Sequence, residues 1–544
     1  MDGTPRIATA PLQGWPLVLL GLVYLLSGLI GHDPWKNDDA LNFGIVLSFL
    51  EGRDWLLPHL AGETWLESPP LYHWCAALLA RAMSGLLSPP DAARLCSGLF
   101  GALFLYLLAG ASRSLHGNHG GPTAVLVAIG CLGLLAPLHE TQPASAVLAA
   151  GAAGYWGLVR LPERPRSGGL LLGCGVGAGF LVSGLDSLAI VVPLALLAAL
   201  APRWRSGASR RGFAIATAAA VPLCVLWPAL LAWQAPDALP IWWSRELASL
   251  RPSGAASFAE LAELLAWAAW PALPLALWSL WRGRRRLFEA AIALPLAGTL
   301  IAATLLVALH EARPIHVLPL LLPLTLLAGA GAATLRRGAA NAFDWFGMMT
   351  FTLVAALVWL GGIAMVAGIP SQIEHNFAKL APGFVARFDA GAWTLAALLT
   401  LAWCGHLWRA PRSPWRALTH WAGGVTLMWA LLAALWFPWV DYGKSYRGVA
   451  LELKSNLGGE ACIAGRALPD ALRASLDYFA GVITIRAGQP GSDACPLLLE
   501  QGSADRDASP AGWMRVWEGH RPGDKDERLR LYRRDAAIAP GVTT

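Results

Sequence analysis

The residues most suited to chemistry are concentrated between Gly31 and Arg94, a polar segment in an otherwise apolar N-terminal half. Asp38 and Asp39 are adjacent there, and a carboxylate can act as the general base that deprotonates an attacking hydroxyl. The pair also has a purely structural interpretation, because Asn37 is a favourable N-cap and the helix dipole favours acids in the first turn. Neighbouring side chains on a helix point about 100° apart, so at most one aspartate can be the base.

The acids are followed by apolar residues that include Leu41, Ile45 and the run 47–50. This pattern predicts an interfacial amphipathic helix that ends near Gly52. The histidines of this region and of the next outer turn (His32, His59, His73 and His139) raise the question of a metal site with Glu67. No pair of them has the i, i+4 spacing of helical ligands, so we expect no metal site. The tryptophans Trp35, Trp55, Trp65 and Trp74 are typical of the aromatic belt at a membrane surface.

The composition identifies the protein class. Apolar residues make up 56% of the chain, charged residues only 14%, and the mean hydropathy is +0.50. Soluble globular proteins contain about 25% charged residues, so the chain is predicted to be a polytopic membrane protein. The net charge of +6 comes from arginines in short runs between apolar stretches, which is typical of cytoplasmic loops and not of a nucleic-acid surface. The first apolar stretch, residues 12–30, is predicted to remain as a membrane anchor.

The apolar stretches predict about thirteen transmembrane helices. They fall at 12–31, 92–112, 122–138, 142–159, 169–183, 186–201, 212–233, 260–281, 288–309, 315–335, 346–368, 391–408 and 417–438. Residues 169–201 are divided in two because only then do the arginine clusters on either side of them face the same compartment. The positive-inside rule makes that compartment the cytoplasm, together with the N-terminus. The segment 32–91 and the C-terminal region then face outward.

The composition changes sharply after Pro438, and we divide the chain into a transmembrane domain of residues 1–440 and an outer domain of residues 441–544. Short β-type runs at 460–466, 482–487, 495–500, 514–518 and 528–533, with helices at 446–455 and 470–478, predict a small α/β domain. Cys462 and Cys495 each lie in a predicted strand of this domain. A disulfide between them is expected in an oxidising compartment.

Three runs in the polar segment carry a family resemblance: DPWKNDDALNFG from Asp33, GRDWLLPHLAGETWLESPPLYHW from Gly52, and DAARLCSGLFGAL from Asp91. They resemble the first extracytoplasmic loop of bacterial lipid A aminoarabinose transferases and their protein O-mannosyltransferase relatives. The resemblance implies a GT-C type membrane fold with a periplasmic C-terminal domain in the bacterial inner membrane. It also implies an enzyme that moves a sugar from a polyprenyl phosphate to an acceptor outside that membrane.

The resemblance implies roles for individual residues. Asp38 corresponds to the family's catalytic aspartate and Asp39 to the acid that follows it, while Tyr72 and Arg94 also fit. Glu67 corresponds to a glutamate that contacts a metal in some relatives, so a divalent metal stays an option although the sequence requires no cofactor. The family's phosphate-binding lysine is replaced by Ser68, and Leu41 and Ser183 replace other basic residues.

The donor phosphate therefore needs other cations, and Arg313 is the best candidate, followed by Arg245, Lys36 and Arg53. Glu140 or Asp186 is expected to position the acceptor, and His139 and His316 to line the substrate site. Two hypotheses follow. The first is an inverting polyprenyl-phosphate-sugar transferase that acts on lipid A, a glycan or a protein, with Asp38 as the base. The second is a non-catalytic family member that serves as a partner subunit or binds lipid phosphates.

Overall fold

The computed structural model describes residues 10–252, 258–309, 314–505 and 509–535. The helices of these ranges are α1 (Trp15–Leu26), α2 (Asp38–Leu50), α3 (Leu71–Ala82), α4 (Pro89–His116), α5 (Gly120–Gly130), α6 (Leu135–His139), α7 (Ala144–Arg160), α8 (Pro165–Leu200), α9 (Gly207–Gln234), α10 (Ala238–Ser249), α11 (Phe258–Ala268), α12 (Ala272–Arg282), α13 (Ala290–Leu309), α14 (Pro314–Gly331), α15 (Arg337–Ala367), α16 (Ser371–Leu380), α17 (Ala390–Arg409), α18 (Arg416–Leu435), α19 (Phe437–Lys444), α20 (Arg447–Asn456) and α21 (Asp470–Ala480). The strands are β1 (His59–Leu60), β2 (Glu63–Thr64), β3 (Ile463–Arg466), β4 (Ile485–Arg486), β5 (Leu497–Ser503), β6 (Trp513–Gly519) and β7 (Glu527–Arg534).

The helix α8 is interrupted at Ser183 and Gly184, whose backbone angles are not helical. Three glycines of its first half contact α9 at positions that rise together, with Gly169, Gly173 and Gly177 lying against Gly212, Ala216 and Leu223. The first half of α8 therefore runs parallel to α9, so the second half must bring the chain back before α9 begins. This geometry agrees with the predicted division of residues 169–201 into two segments.

Eight helices of the described residues are long and apolar enough to cross a membrane, and two sharply bent helix pairs would raise the number to ten. The helix α1 has 12 residues and α7 has 17, which is short of the ~20 residues of a full span. The polytopic helical fold is confirmed, and the count of about thirteen spans stays a prediction. The arginine clusters follow α7, α8, α12, α14 and α17, all at one end of the bundle, which we call the basic end.

Residues 31–94 lie at the opposite end, which we call the domain end, and fold into α2, the β1–β2 hairpin, α3 and the start of α4. The prediction that α2 is an interfacial amphipathic helix is wrong. Phe43, Val46 and Phe49 are buried because α3 and α21 cover α2. Asn37 does not cap the helix with its side chain and instead adopts a left-handed backbone conformation with φ 75°.

The C-terminal residues form the predicted small α/β domain. Its five strands have the order β4-β3-β5-β7-β6, with β3 parallel to β4 and β5, and with β7 antiparallel to β5 and β6. The apolar faces of α20 and α21 pack on one face of this sheet. The predicted cysteine pair, Cys462 and Cys495, is joined by a disulfide bond.

The C-terminal domain rests directly on the segment that contains the aspartate pair. Gly44 of α2 lies against Ala474 of α21, where a side chain larger than hydrogen would not fit. Arg473 of α21 donates hydrogen bonds of 2.9 and 2.8 Å to the carboxylate of Glu63 in the hairpin. The outer domain and residues 31–94 therefore form one packed layer over the domain end of the bundle.

Candidate active site

A cavity of about 310 Å³ opens at the domain end between α2, α7, the turn of α8, α13 and α14. Its polar lining consists of Asp38, Asn42, Ser68, Ser183, Asp186, Ser187 and His316. The rest of the wall is apolar and comes mainly from α7, α8, α13 and α14, including Val147, Ile190, Leu305, Leu309, Ile315 and Leu318. No lysine or arginine of the described residues lines this cavity.

Asp38 is the member of the aspartate pair that reaches the cavity. The side-chain amide of Gln142 donates to Asp38 Oδ2 over 3.3 Å and to Glu140 Oε2 over 3.0 Å, and so links the two carboxyl groups. The Asn42 amide donates to the backbone carbonyl of Asp38 over 2.7 Å. His73 Nε2 lies 2.9 Å from Asn42 Oδ1, and burial lowers the pKa of His73 to about 3. A neutral His73 protonated at Nε2 therefore fixes the orientation of Asn42.

Asp39 points away from the cavity into a buried ion pair with Arg94, whose Nε lies 3.3 Å from Asp39 Oδ2. Its carboxylate also accepts the backbone N–H groups of Thr141 and Trp35 over 2.8 and 3.1 Å. Burial alone would raise the pKa of Asp39, but the Arg94 guanidinium, His32 and these hydrogen bonds outweigh it and lower the pKa. Asp39 is therefore an ionised structural anchor that ties α2 to α4 and to the turn before α7.

Glu140 lies in the turn between α6 and α7, beside both aspartates. Burial, followed by the charges of Asp39 and Asp38, raises the pKa of Glu140 to about 8 against a partial lowering by Lys444 and Arg94. The carboxyl group therefore keeps its proton at neutral pH. The Gln142 amide links neutral Glu140 to Asp38, whose side chain lines the cavity.

The short helix α19 docks on the residues that immediately precede Asp38. Asp441 Oδ1 accepts the backbone N–H of Asp33 over 2.9 Å and the indole N–H of Trp35 over 2.8 Å. One turn further along α19, Lys444 places its Nζ 4.5 Å from the centre of the Trp35 ring. The last residue of α19 therefore brings a positive charge close to the acids of the site.

A second cavity, of about 880 Å³ and mainly polar, lies between the hairpin, α10 and the C-terminal domain. Glu67 lines it and pairs with Arg245 over 2.7 Å, whereas the next residue, Ser68, lines the Asp38 cavity. The chain at residues 67–68 thus separates the two cavities. Arg245, predicted as a phosphate ligand, faces the second cavity.

Several other predicted residues also lie outside the Asp38 cavity. Lys36 pairs with Glu527 over 3.5 Å, and Arg53 pairs with Glu51 over 2.8 Å. Tyr72 is buried with its hydroxyl 2.6 Å from Ser97 Oγ, and both ring nitrogens of His139 face backbone carbonyls, those of Leu135 and Tyr24. Arg313 lies outside the described residues. The catalytic and binding roles of all these residues stay predictions.

Sequence reasoning did not single out three residues that the structure brings to the site, namely Asn42, Gln142 and Lys444. The first two are isolated amides in motifs already selected for their acids, so inspection of those motifs could have found them. Lys444 lies in the C-terminal part of the chain, and no local pattern connects it to residues 31–94. Among the described residues, no group of three or more His, Cys, Asp or Glu side chains is placed to hold a metal ion.

Residues 67–233 match the family described as dolichyl-phosphate-mannose-protein mannosyltransferase. The undecaprenyl phosphate-alpha-4-amino-4-deoxy-L-arabinose arabinosyl transferase of Pseudomonas aeruginosa (strain UCBPP-PA14) is 28% identical over 441 residues, which cover 78% of this chain and 75% of that protein. The transferase of the same name from Edwardsiella ictaluri (strain 93-146) is 26% identical, over 73% of this chain and 74% of its own.

A solved structure supports the same relationship at the level of the fold. ArnT from Cupriavidus metallidurans, in a crystal structure bound to undecaprenyl phosphate, superposes with a TM-score of 0.68. The alignment covers 97% of this chain and 98% of that chain at 17% sequence identity. The chain is therefore similar to the bacterial aminoarabinose transferases over most of its length and to the protein mannosyltransferase family over residues 67–233, it has the fold of ArnT, and it is a glycosyltransferase.

Proposed function

We propose that the protein transfers a sugar from a polyprenyl-phosphate donor to an acceptor at the periplasmic face of a bacterial inner membrane. Asp38 removes the proton of the attacking acceptor group, and the anomeric centre is inverted in a single displacement. The acceptor is a lipid such as lipid A, a glycan or a protein. The observation that carries this proposal is the position of the Asp38 carboxylate in the wall of a cavity that is polar at one end and apolar along α13 and α14.

The two kinds of lining suit the two parts of such a donor. The apolar wall, with Leu305, Leu309 and Leu318, can accept the first units of a polyprenyl chain. The polar residues near Asp38 can accept the sugar and the phosphate. His316 is a basic residue of the described lining, and Arg313, three positions earlier in the chain, stays our candidate ligand for the phosphate.

Asp38 and Glu140 account for the proton. Asp38 takes the acceptor's proton, whereas Glu140 already holds a proton and can donate a hydrogen bond. An ionised Glu140 would bring a further negative charge toward the donor phosphate. Glu140 therefore positions the acceptor best in its neutral form, and Asp186 on the facing wall is the second positioning group.

The arrangement of the chain in the membrane follows from the two ends of the bundle. The basic end carries the arginine clusters and faces the cytoplasm with the N-terminus, by the positive-inside rule. The domain end, with the Asp38 cavity and the C-terminal domain, then faces the periplasm. The disulfide between Cys462 and Cys495 suits that oxidising compartment.

The test is turnover by the purified protein with undecaprenyl phosphate-linked 4-amino-4-deoxy-L-arabinose as donor and lipid A as acceptor, with the anomeric configuration of the product read by NMR. We expect a product of inverted configuration that Asp38→Asn fails to form. A product of retained configuration would exclude a single displacement, and a fully active Asp38→Asn variant would exclude Asp38 as the base. The comparisons favour this transferase over the non-catalytic alternative, because the relatives are named as transferases and their similarity extends over about three quarters of the chain.

A further inference from the structure

The Asp38 cavity presents an electrostatic problem for an anionic donor. Asp38 and Asp186 lie in its wall, and Asp39 lies just behind Asp38. No described lysine or arginine lines the cavity. A phosphate approaching these carboxylates is repelled unless a cation lies close to it, because the interaction between unit charges falls only slowly with distance in a partly buried site.

Two arginines near these acids are already neutralised by carboxylates. Arg94 is buried and bonded to Asp39 and Asp91. Arg447 is bonded to Asp33. The side chain of Lys444, by contrast, is exposed; its ammonium lies against the neutral Trp35 ring and makes no ion pair or hydrogen bond with any described residue.

The position of Lys444 is set by α19 and not by a flexible loop. Asp441 anchors that helix to Asp33 and Trp35, and residues three apart on a helix share a face, so Lys444 lies on the docked side. Trp35 also donates its backbone N–H to Asp39. Trp35, which lies under the ammonium, is therefore fixed to Asp39. The flexible side chain of Lys444 lets the ammonium move a short distance around this position.

We propose that Lys444, held over the Trp35 ring, binds the phosphate of a polyprenyl-phosphate donor that occupies the Asp38 cavity. This inference rests on the proposed function. In the transfer step, the acceptor oxygen forms a bond to the anomeric carbon while the bond from that carbon to the phosphate oxygen breaks. The bonding electrons leave with the phosphate, and the acceptor proton goes to Asp38. Lys444 keeps its own proton throughout and stabilises the charge that develops on the phosphate.

The test is equilibrium binding of undecaprenyl phosphate to the full-length protein in detergent, which needs no turnover. We expect Lys444→Ala to weaken binding about tenfold and Lys444→Arg to restore most of the affinity, because the positive charge is retained. The matched control is Lys379→Ala on α16, an exposed lysine for which the structure shows no side-chain contact. It removes the same charge and should leave binding unchanged.

The outcomes separate this proposal from the proposed function. If the wild-type protein does not bind undecaprenyl phosphate, the donor class itself is wrong. If the wild type binds and Lys444→Ala binds equally well, Lys444 is not a phosphate ligand. If Lys444→Ala and Lys379→Ala lose the same affinity for undecaprenyl phosphate, the effect comes from the net surface charge and the proposal is overturned. Turnover measured on the same variants should show the loss at Lys444 in KM for the donor and in kcat, with KM for the acceptor unchanged.

Discussion

Substituting the adjacent residues Asp38 and Asp39 should damage the protein in opposite ways. Asp38→Asn should abolish turnover and leave the fold intact, whereas Asp39→Asn should destabilise the fold and lower activity only through the loss of folded protein. Both substitutions replace one carboxylate by an amide of the same shape. The pair therefore separates the chemical role from the structural one with minimal change in volume.

The magnitudes follow from the surroundings of each carboxylate. The side chains of Asp39 and Arg94 are both 0% exposed, so Asp39→Asn leaves a guanidinium buried with part of its compensation removed. Breaking a buried pair costs about 3–5 kcal/mol. We expect the lower end of that range, because Asp91 still pairs with Arg94 over 2.7 Å and an amide oxygen can still accept the N–H of Thr141. Asp38 is half-buried, and an amide oxygen can still accept the long hydrogen bond from Gln142, so its substitution should cost about 1 kcal/mol.

The assay is thermal unfolding of both variants in the same detergent, together with turnover per folded molecule. Asp38→Asn should unfold close to the wild-type temperature with turnover reduced by at least about 10²-fold, the lower bound for removing a general base. Asp39→Asn should unfold at a clearly lower temperature with turnover per folded molecule close to wild type. The reasoning is refuted if the two profiles are exchanged, or if Asp39→Asn is as stable as the wild type.

Three further substitutions and a disulfide test address other parts of the structure. Folding raises the pKa of Glu140 from 4.5 to about 8, so the contribution of this proton to stability is complete below about pH 4.5 and is lost as the pH rises through about 8. Glu140→Gln should remove this part of the pH dependence, which unfolding measurements from pH 5 to 9 can detect. Ser68→Lys places an ammonium in the lining of the Asp38 cavity and should tighten binding of undecaprenyl phosphate severalfold, with unchanged affinity as the contrary result. Gly184→Ala should lower the yield of folded protein, because Gly184 has φ 56° and a Cβ there would lie 2.1 Å from the Glu246 carboxylate. The control Gly207→Ala should leave the yield unchanged, because a Cβ at Gly207 would meet no atom within 4 Å. Reduction should shift the electrophoretic mobility of the wild type and not that of Cys462→Ser.

Patterns that depend on local composition were predicted well from the sequence. Apolar runs of ~20 residues predict the membrane segments, and short β-type runs between turns predict the strands of the C-terminal domain. The division of α8 was predictable because a charge rule constrains both of its ends, even though no local signal marks the turn at Ser183 and Gly184.

The interpretation of α2 failed because burial depends on partners that are remote in the chain. Its pattern of apolar residues suited a helix with one face in the membrane surface, and the sequence around it gives no sign that Ala474 of the C-terminal domain packs on it. The same limit applies to the aspartate pair. Helix geometry showed that one of the two acids must turn away, but only the buried position of Arg94 shows that this acid is Asp39.

The cations of the site illustrate that limit most clearly. A sequence motif shows only a residue's neighbours in the chain, so the replacement of the family's lysine by Ser68 suggests that phosphate binding is lost. In the folded protein, however, the charge at a site is the sum over all elements that meet there, and α19 delivers Lys444 to Trp35 from more than 400 positions away. Arg245, Lys36 and Arg53, all nearer in sequence, are each held by a carboxylate elsewhere. The ammonium of Lys444 is exposed and makes no ion pair with a described carboxylate, so it is available to a ligand anion, which is the physical reason to look for the phosphate at Lys444.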